Sequence, residues 1–504
     1  MIALNRYDSI VVGAGFSGLS AATALAQAGR NVVVVERHAS AGGRAREFQA
    51  EGFRFDMGPS WYWMPDVFEE WFIESGSTVD THLDLIRLDP SYRTWFSNGP
   101  VDVPAGLDAV RALFEQLEPG SGQAFDRFFA EAERKYRLGM DRFVRSPGHS
   151  PLELMDLSVI PGLRGLDMFR SLSGHVRKYF SDPRIIQLLE FPVLFLGARA
   201  ENTPALYSLM NHADTALGTW YPKGGMHRIV EAMVDVARSS GVEFLFDAEV
   251  DGILEEGGRT TGVRLTSGRE IHADSVVAAT DYHHAEQSLL PQRWRRYSEK
   301  YWHGRVMAPS SMLYYLGVEA RLDALEHHNL FFDVPFGPHA QDIYDDPAWP
   351  ENPLFYVCAP SRTDPTVAPE GCENLFVLVP LAPGLEDGPA EREALFNRVM
   401  DRLETHIGSP VRSRLIYRRD YAMQDFRDDY HAFKGNAYGL ANTLRQTAFL
   451  KPKMKSRLAG LFFAGQLTTP GPGVPPSLIS GRMAAGEAHA FLAESDQVEV
   501  PIGA

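Results

Sequence analysis

The chain has 504 residues, with 49 Lys and Arg against 65 Asp and Glu, for a formal net charge of −16. That length accommodates roughly three domains of ordinary size, and 44% apolar with 23% charged residues is a globular composition that excludes disorder, collagen and disulfide scaffolds. The acidic balance excludes a nucleic-acid partner and polybasic anchoring to an anionic membrane, both of which need a basic face. A hydrophobic membrane contact depends on local apolar surface and stays open.

Two cysteines, Cys358 and Cys372, with no CxxC, point to a reducing compartment. The opening run Met1 to Asp8 has no basic n-region or small-residue cleavage site, so no secretory leader is expected and the location is read as cytoplasmic. The most apolar stretch, Leu188 to Ala198, is interrupted by Glu190 and Pro192. It falls short of the ~20 apolar residues that a bilayer-spanning helix needs.

In chain order, Ser9 to Val12 reads as a strand buried on both faces, followed by Gly13-Ala14-Gly15-Phe16-Ser17-Gly18 and an Ala-rich helix from Leu19 to Ala28. Gly29 stands at the helix C-cap, and Asn31 to Val35 is a second strand closed by Glu36. From Phe68 to Leu217 the pattern is helical. Phe125, Phe128, Phe129, Ala132, Tyr136 and Met140 form one apolar stripe, read as core packing. A helix over Met226–Ser239 and strands over 242–246, 250–255, 262–266 and 275–279 follow. Residues 300–430 mix strands with Pro-rich loops. Gly460 to Gly465 is a strand, then a Pro/Gly loop leads to a helix from Ser480 onward.

Gly13-x-Gly15-x-x-Gly18 between strand and helix, with Glu36 18 positions after Gly18, is a dinucleotide-binding pattern. Gly13 permits the tight turn, Gly15 lets the backbone approach a pyrophosphate, and Gly18 lets helix and strand pack closely. The helix N-terminus offers free N–H groups to the phosphates. Glu36 would accept from ribose hydroxyls, and an acid there disfavours a 2′-phosphate. The second glycine turn, Gly42-Gly43-Arg44, and Gly58-Pro59-Ser60 follow within a few residues, which suits FAD rather than NAD, with Arg44 supplying charge to the pyrophosphate. Val250, Thr280, Gly465-Gln466 and Gly473-Val474-Pro475 extend the same series. A helix N-terminus beyond the last of these would stabilise negative charge on a reduced flavin. No second GxGxxG is present, so a nicotinamide reductant is not expected.

These motifs resemble the bacterial-type phytoene desaturases, FAD-dependent carotenoid oxidoreductases of the superfamily that includes amine oxidases and protoporphyrinogen oxidase. The more specific matches are Trp220-Tyr221-Pro222-Lys223-Gly224-Gly225-Met226, Ala368 to Cys372, Phe426-Arg427-Asp428 and Leu461 to Pro475. One departure is Gly465-Gln466, where many related flavoenzymes carry Gly-Asp; the carotenoid branch often lacks that Asp.

The resemblance implies an α/β fold: a Rossmann-like FAD-binding domain from discontinuous segments (1–80, 220–300 and 430–504) with a mixed helical/β substrate domain (81–219 and 301–429). The cofactor set is Gly13, Ala14, Gly15, Ser17, Gly18, Glu36, Arg37, Gly43, Arg44, Gly58, Pro59, Ser60, Val250, Thr280, Gly465, Gln466, Gly473, Val474 and Pro475. Phytoene or a related carotene would lose a hydride and a proton in a long apolar tunnel lined from the Phe-rich helical segment and Phe331-Phe332. Electrons would pass to a quinone or dioxygen. Glu153 and Asp156 are the acid–base candidates, with Arg142 or Arg145 to orient them. His283-His284 and His327-His328 are read as surface or loop histidines, because neighbours on a strand face opposite ways and no further ligand spacing completes a metal site. The aromatic run Trp61 to Phe72 would either sit at the membrane headgroups or line the cavity, and the protein is expected to be peripherally membrane-associated. Rival readings are a redox-neutral carotenoid isomerase, a later-pathway carotene desaturase, an amine or porphyrinogen oxidase, and a carotenoid-binding protein with structural FAD.

Overall fold

Four consecutive valines, Val32–Val35, are all buried because they form the inner strand of a parallel sheet, with Arg6–Val12 on one side and Glu243–Leu245 on the other. The computed structural model describes residues 6–148, 170–197, 199–443 and 446–498. Beyond Arg6–Val12 lies Glu270–Ala278, also parallel. This strand has two partners on its far side: its first residues take Arg259–Leu265 antiparallel, and its last three take Leu461–Phe463 parallel. Val250–Glu256 completes a seven-stranded sheet by pairing with Arg259–Leu265.

The helix Phe16–Gln27 starts directly at the glycine turn and buries Leu19, Ala21, Ala22 and Leu25. Against it lies the C-terminal helix Val474–Val498. Their backbones nearly touch: a Cβ on Gly481 would lie 2.0 Å from the Ser17 carbonyl oxygen. Ser20 Oγ donates to the Leu478 carbonyl at 2.8 Å in the same interface. The C-terminal helix thus begins at Val474 rather than Ser480, since prolines are tolerated in a first turn, where N–H groups lack helical partners anyway.

A second seven-stranded sheet runs Leu415–Tyr421, Ser310–Val318, Glu373–Leu381, Phe355–Cys358, His328–Phe332, Tyr92–Phe96, Gly99–Val103. All its pairs are antiparallel except His328–Phe332 with Tyr92–Phe96. The helix Pro389–Ile407 covers one face, packing Phe396 edge to face against Tyr314. The helical reading of 68–217 is corrected here: Leu85–Arg87, Tyr92–Phe96 and Gly99–Val103 are strands. Phe96 pairs with Gly99 across a two-residue turn, and short strands rich in aromatic and β-branched residues escape a search for helical periodicity. The helix Gly122–Leu138 does bury Phe125, Phe128, Phe129, Ala132 and Tyr136 on one face. Glu153 and Asp156 lie outside the described residues.

Candidate cofactor and substrate cavity

At the carboxyl end of the first sheet the chain leaves Arg6–Val12 through three glycines that do different jobs. Gly13 has φ +103°, and a Cβ there would stand 3.0 Å from the Ala279 carbonyl oxygen. On Gly18 a Cβ would lie 1.9 Å from the Gly13 carbonyl oxygen and 3.3 Å from Ala279 Cβ, so both the turn and the close packing of helix on strand ends require Gly18. Gly15 is the exception: extended at φ −78° and ψ 179°, it has no atom nearer than Gly43 Cα at 4.0 Å to a new Cβ. Its open side faces a cavity of about 390 Å³.

Glu36 is buried beside the turn. One carboxylate oxygen accepts from the Ala14 N–H at 2.8 Å and the other from the His38 N–H at 2.9 Å, which fixes the carboxylate at the cavity wall. Across from it, the second glycine turn places Arg44. Among the described residues its Nε has no hydrogen-bond partner, and one Nη donates only a long bond to the Asn436 carbonyl, at 3.3 Å. The guanidinium lies 4.9 Å from the Tyr430 ring centroid. Burial lowers the Arg44 pKa, and the charge of Asp281 opposes that shift. A buried cation with so few acceptors needs an anion.

From the C-terminal side come Gly465, whose N–H donates to Ser480 Oγ at 2.9 Å, and Gln466, whose amide donates to Asn436 Oδ1 at 2.9 Å. Val474 and Pro475 bring a helix N-terminus to the same space. Seventeen of the nineteen anticipated cofactor residues line this one cavity; Ala14 and Gly18 stand behind its wall. A side-chain-free approach at Gly15, an underbonded guanidinium opposite and a helix N-terminus together fit a bound dinucleotide pyrophosphate.

The far part of the cavity is apolar, lined by Met64, Met210, Leu313, Phe376 and Leu378. A smaller cavity of about 50 Å³, walled by Phe191, Leu330, Phe332, Phe336, Ile343 and Leu354, shares Tyr356, Leu378 and Tyr438 with the first. Of the expected lining, Phe332 serves, as do Phe191 and Met210 from the helical segment 110–220. Phe331 instead stacks on Phe355 in the sheet core, and Phe125, Phe128 and Phe129 pack on one another.

The aromatic run also turns inward. Tyr62, Trp63, Phe68, Trp71 and Phe72 are buried, and Trp61, Trp63 and Met64 face the cavity, which is the cavity-lining alternative of the two readings. The reading of His327-His328 as surface residues is overturned, because both are buried at the start of His328–Phe332. His327 Nδ1 bonds Thr363 Oγ1 at 2.8 Å and His328 Nδ1 bonds Tyr356 Oη at 2.6 Å. One ligating atom from each ring and the Cys358 sulfur lie within 4.8 Å of one another. Burial pushes the Cys358 thiol up to about 12 and both imidazoles down, His327 to about 3. Cys358 and Cys372 are free thiols. His284 also lines the cavity, stacked on His431 with centroids 3.9 Å apart, while His283 is half-buried. Arg145 pairs with Glu70.

Sequence reasoning missed Asp281, His284, Tyr430, His431 and Tyr356 as cavity residues. Asp281 directly follows Thr280, and Tyr430 follows the Phe426-Arg427-Asp428 motif, so proximity to a recognised motif was the available signal. Tyr356 had none, since only the pairing of Phe355–Cys358 within the second sheet brings it there.

A parallel sheet ending in a glycine turn, an underbonded arginine and an apolar cavity beyond it define a dinucleotide-dependent oxidoreductase that acts on an apolar substrate. The family model of flavin containing amine oxidoreductases matches residues 16–489. A carotenoid 3,4-desaturase of Haloarcula japonica is 44% identical over 483 residues, covering 95% of this chain and 97% of the relative. A zeta-carotene-forming phytoene desaturase of Myxococcus xanthus is 34% identical, covering 94% and 92%. Among solved structures, cyclohexylamine oxidase from Brevibacterium oxydans superposes with a TM-score of 0.59 at 18% identity, covering 98% of this chain and 100% of that one. An oxidoreductase from Methanosarcina mazei gives 0.57 at 18%, covering 95% and 99%. The chain belongs to the flavin-containing amine oxidoreductase family and, within it, to the carotenoid desaturases. Its cofactor is FAD.

Proposed function

We propose that this protein desaturates a carotene, with phytoene or an already partly conjugated relative of it as substrate. The observation that carries the reading is the make-up of the cavity: beside the cofactor residues it has an apolar wall of Met64, Met210, Leu313, Phe376 and Leu378, and it adjoins a second, mostly apolar cavity. A polyene hydrocarbon offers no group for a polar anchor, so shape and apolar contact must hold it. The 3,4-desaturase and the phytoene desaturase among the relatives bracket the substrate range.

FAD, when bound, accepts the hydride. The chain's own residues would hold and orient it: the Gly13–Gly18 turn and Arg44 at the pyrophosphate, Glu36 at a ribose, and Gly465, Gln466 and Gly473–Pro475 along the opposite side. The apolar wall would align the saturated bond and exclude water, so positioning supplies much of the rate. The division into a cofactor domain (1–80, 220–300, 430–504) and a substrate domain (81–219, 301–429) draws support from the sheets, because the first takes every strand from one set and the second from the other.

Among the described residues no helix is long and apolar enough to cross a membrane. With a bilayer-resident substrate we read the protein as peripheral, passing electrons to a quinone or dioxygen. The test is anaerobic single turnover of FAD-loaded protein with phytoene in liposomes, then with longer carotenes. Flavin bleaching in step with new polyene bands supports desaturation, and the first carotene to bleach it identifies the substrate. Absence of bleaching with every carotene would refute it.

A further inference from the structure

Desaturation removes two hydrogens from neighbouring carbons. One leaves with its bonding pair to the flavin; the other leaves as a proton, and its C–H pair becomes the new π bond. Some group must receive that proton, and among the described residues the cavity's carboxylates are all engaged at the cofactor end. Glu36 accepts from two backbone N–H groups, and Glu249 bonds His431 at 2.8 Å. Asp281 accepts from the His284 and Phe433 N–H groups, and Asp429 is bonded by Arg46 and Tyr421.

At the border with the apolar region stands a different arrangement. Tyr356 lines both cavities. Its hydroxyl lies 3.0 Å from Ser60 Oγ, next to Gly58 and Pro59, and 2.6 Å from His328 Nδ1. Trp61 stacks flat on the His328 ring, with centroids 4.0 Å apart and planes at 10°. Among the described residues His328 Nε2 has no partner, so none of them ties the ring to the tautomer that would block Nδ1.

Resting on the desaturase reading above, we propose that Tyr356 and His328 form the proton acceptor: the substrate proton passes to Tyr356 Oη as the tyrosine's own proton passes to His328 Nδ1. Burial, with the neighbouring His327, holds His328 well below ordinary histidine basicity. The ring is therefore unprotonated before each turnover and releases its proton readily afterwards. A weak base suffices, because the carbon acid beside a developing allylic cation is very strong.

The experiment uses FAD-loaded wild type, Tyr356→Phe and His328→Gln, with the carotene that wild type converts. Flavin content, carotenoid binding and anaerobic bleaching rate are read together, in H₂O and in D₂O. The proposal expects both variants to load flavin and bind carotenoid as wild type does while bleaching slows about 10²-fold or more. It also expects wild type to slow measurably in D₂O and Tyr356→Phe to lose that solvent effect. Bleaching by either variant within about threefold of wild type, against the acid–base effect expected, overturns it. A wild-type rate indifferent to D₂O does so without reference to any variant. A wild type that bleaches with no carotene removes both this proposal and the desaturase reading; a wild type that bleaches while the variants keep pace removes this one alone.

Discussion

Gly15→Ala and Gly18→Ala add the same methyl group to one turn three residues apart, and should fail in opposite ways. At Gly15 the backbone is already extended, and the new Cβ meets protein no closer than 4.0 Å. Its effect on the flavin-free fold should be within about 0.5 kcal/mol, as a small capping loss is offset by reduced unfolded-state entropy. The methyl instead enters the space facing the cavity. A loss of about 2–3 kcal/mol in cofactor contact corresponds to roughly 30- to 150-fold weaker FAD binding. At Gly18 the Cβ would sit 1.9 Å from the Gly13 carbonyl oxygen, so backbone must move by about an ångström. That overpacking should destabilise the flavin-free protein by about 3 kcal/mol or more. Flavin-fluorescence titration and thermal unfolding of flavin-free protein separate the two. Wild-type FAD affinity in Gly15→Ala, or equal loss of fold stability in both variants, would refute the assignment of Gly15 to the cofactor.

Arg44→Met should weaken FAD binding by about 10²-fold while leaving the flavin-free fold as stable or more stable, because a buried, underbonded cation is removed; titration and unfolding of the same samples check this. Asp214, buried and bonded by Tyr92 at 3.0 Å, is pushed by burial up to about 7. The folded state therefore holds a proton that the unfolded state has lost, and stability falls as pH rises from about 4 to about 7. Asp214→Asn should flatten that slope, measured by unfolding at a series of pH values across the window. Lys451 has the opposite sign: burial lowers it to about 7 and its Nζ has no partner among the described residues. Wild-type stability should thus rise with pH between about 7 and 10.5, and Lys451→Met should remove this rise while stabilising the protein at pH 7 by about 1–3 kcal/mol.

What could be read in advance was local. Glycine turns, the acid at position 36 and the valine run are each written in consecutive residues, and these are the elements of the first sheet that form as expected. The second sheet draws strands from residues 92 to 421, mostly antiparallel and separated by irregular connections, so its pairing is carried by no contiguous pattern. For the same reason Tyr356 and His328 could not be joined in advance: they lie 28 residues apart and meet only through strand pairing. The burial of His327 contradicts a rule about strand neighbours because it precedes the strand, and its ring turns to meet His328 edge to face at 4.5 Å.

The contact of the first helix with the last has a kinetic side. Ser20 and Leu478 bond across a sequence separation of 458, and Leu461–Phe463 adds to a sheet whose other strands were all synthesised earlier. Loop closure on that scale is slow, and partly assembled sheets expose edges that invite aggregation. The dinucleotide pocket therefore exists only once residues 461–475 have been made. Flavin supply during expression should accordingly govern the yield of soluble protein more than its rate of synthesis does.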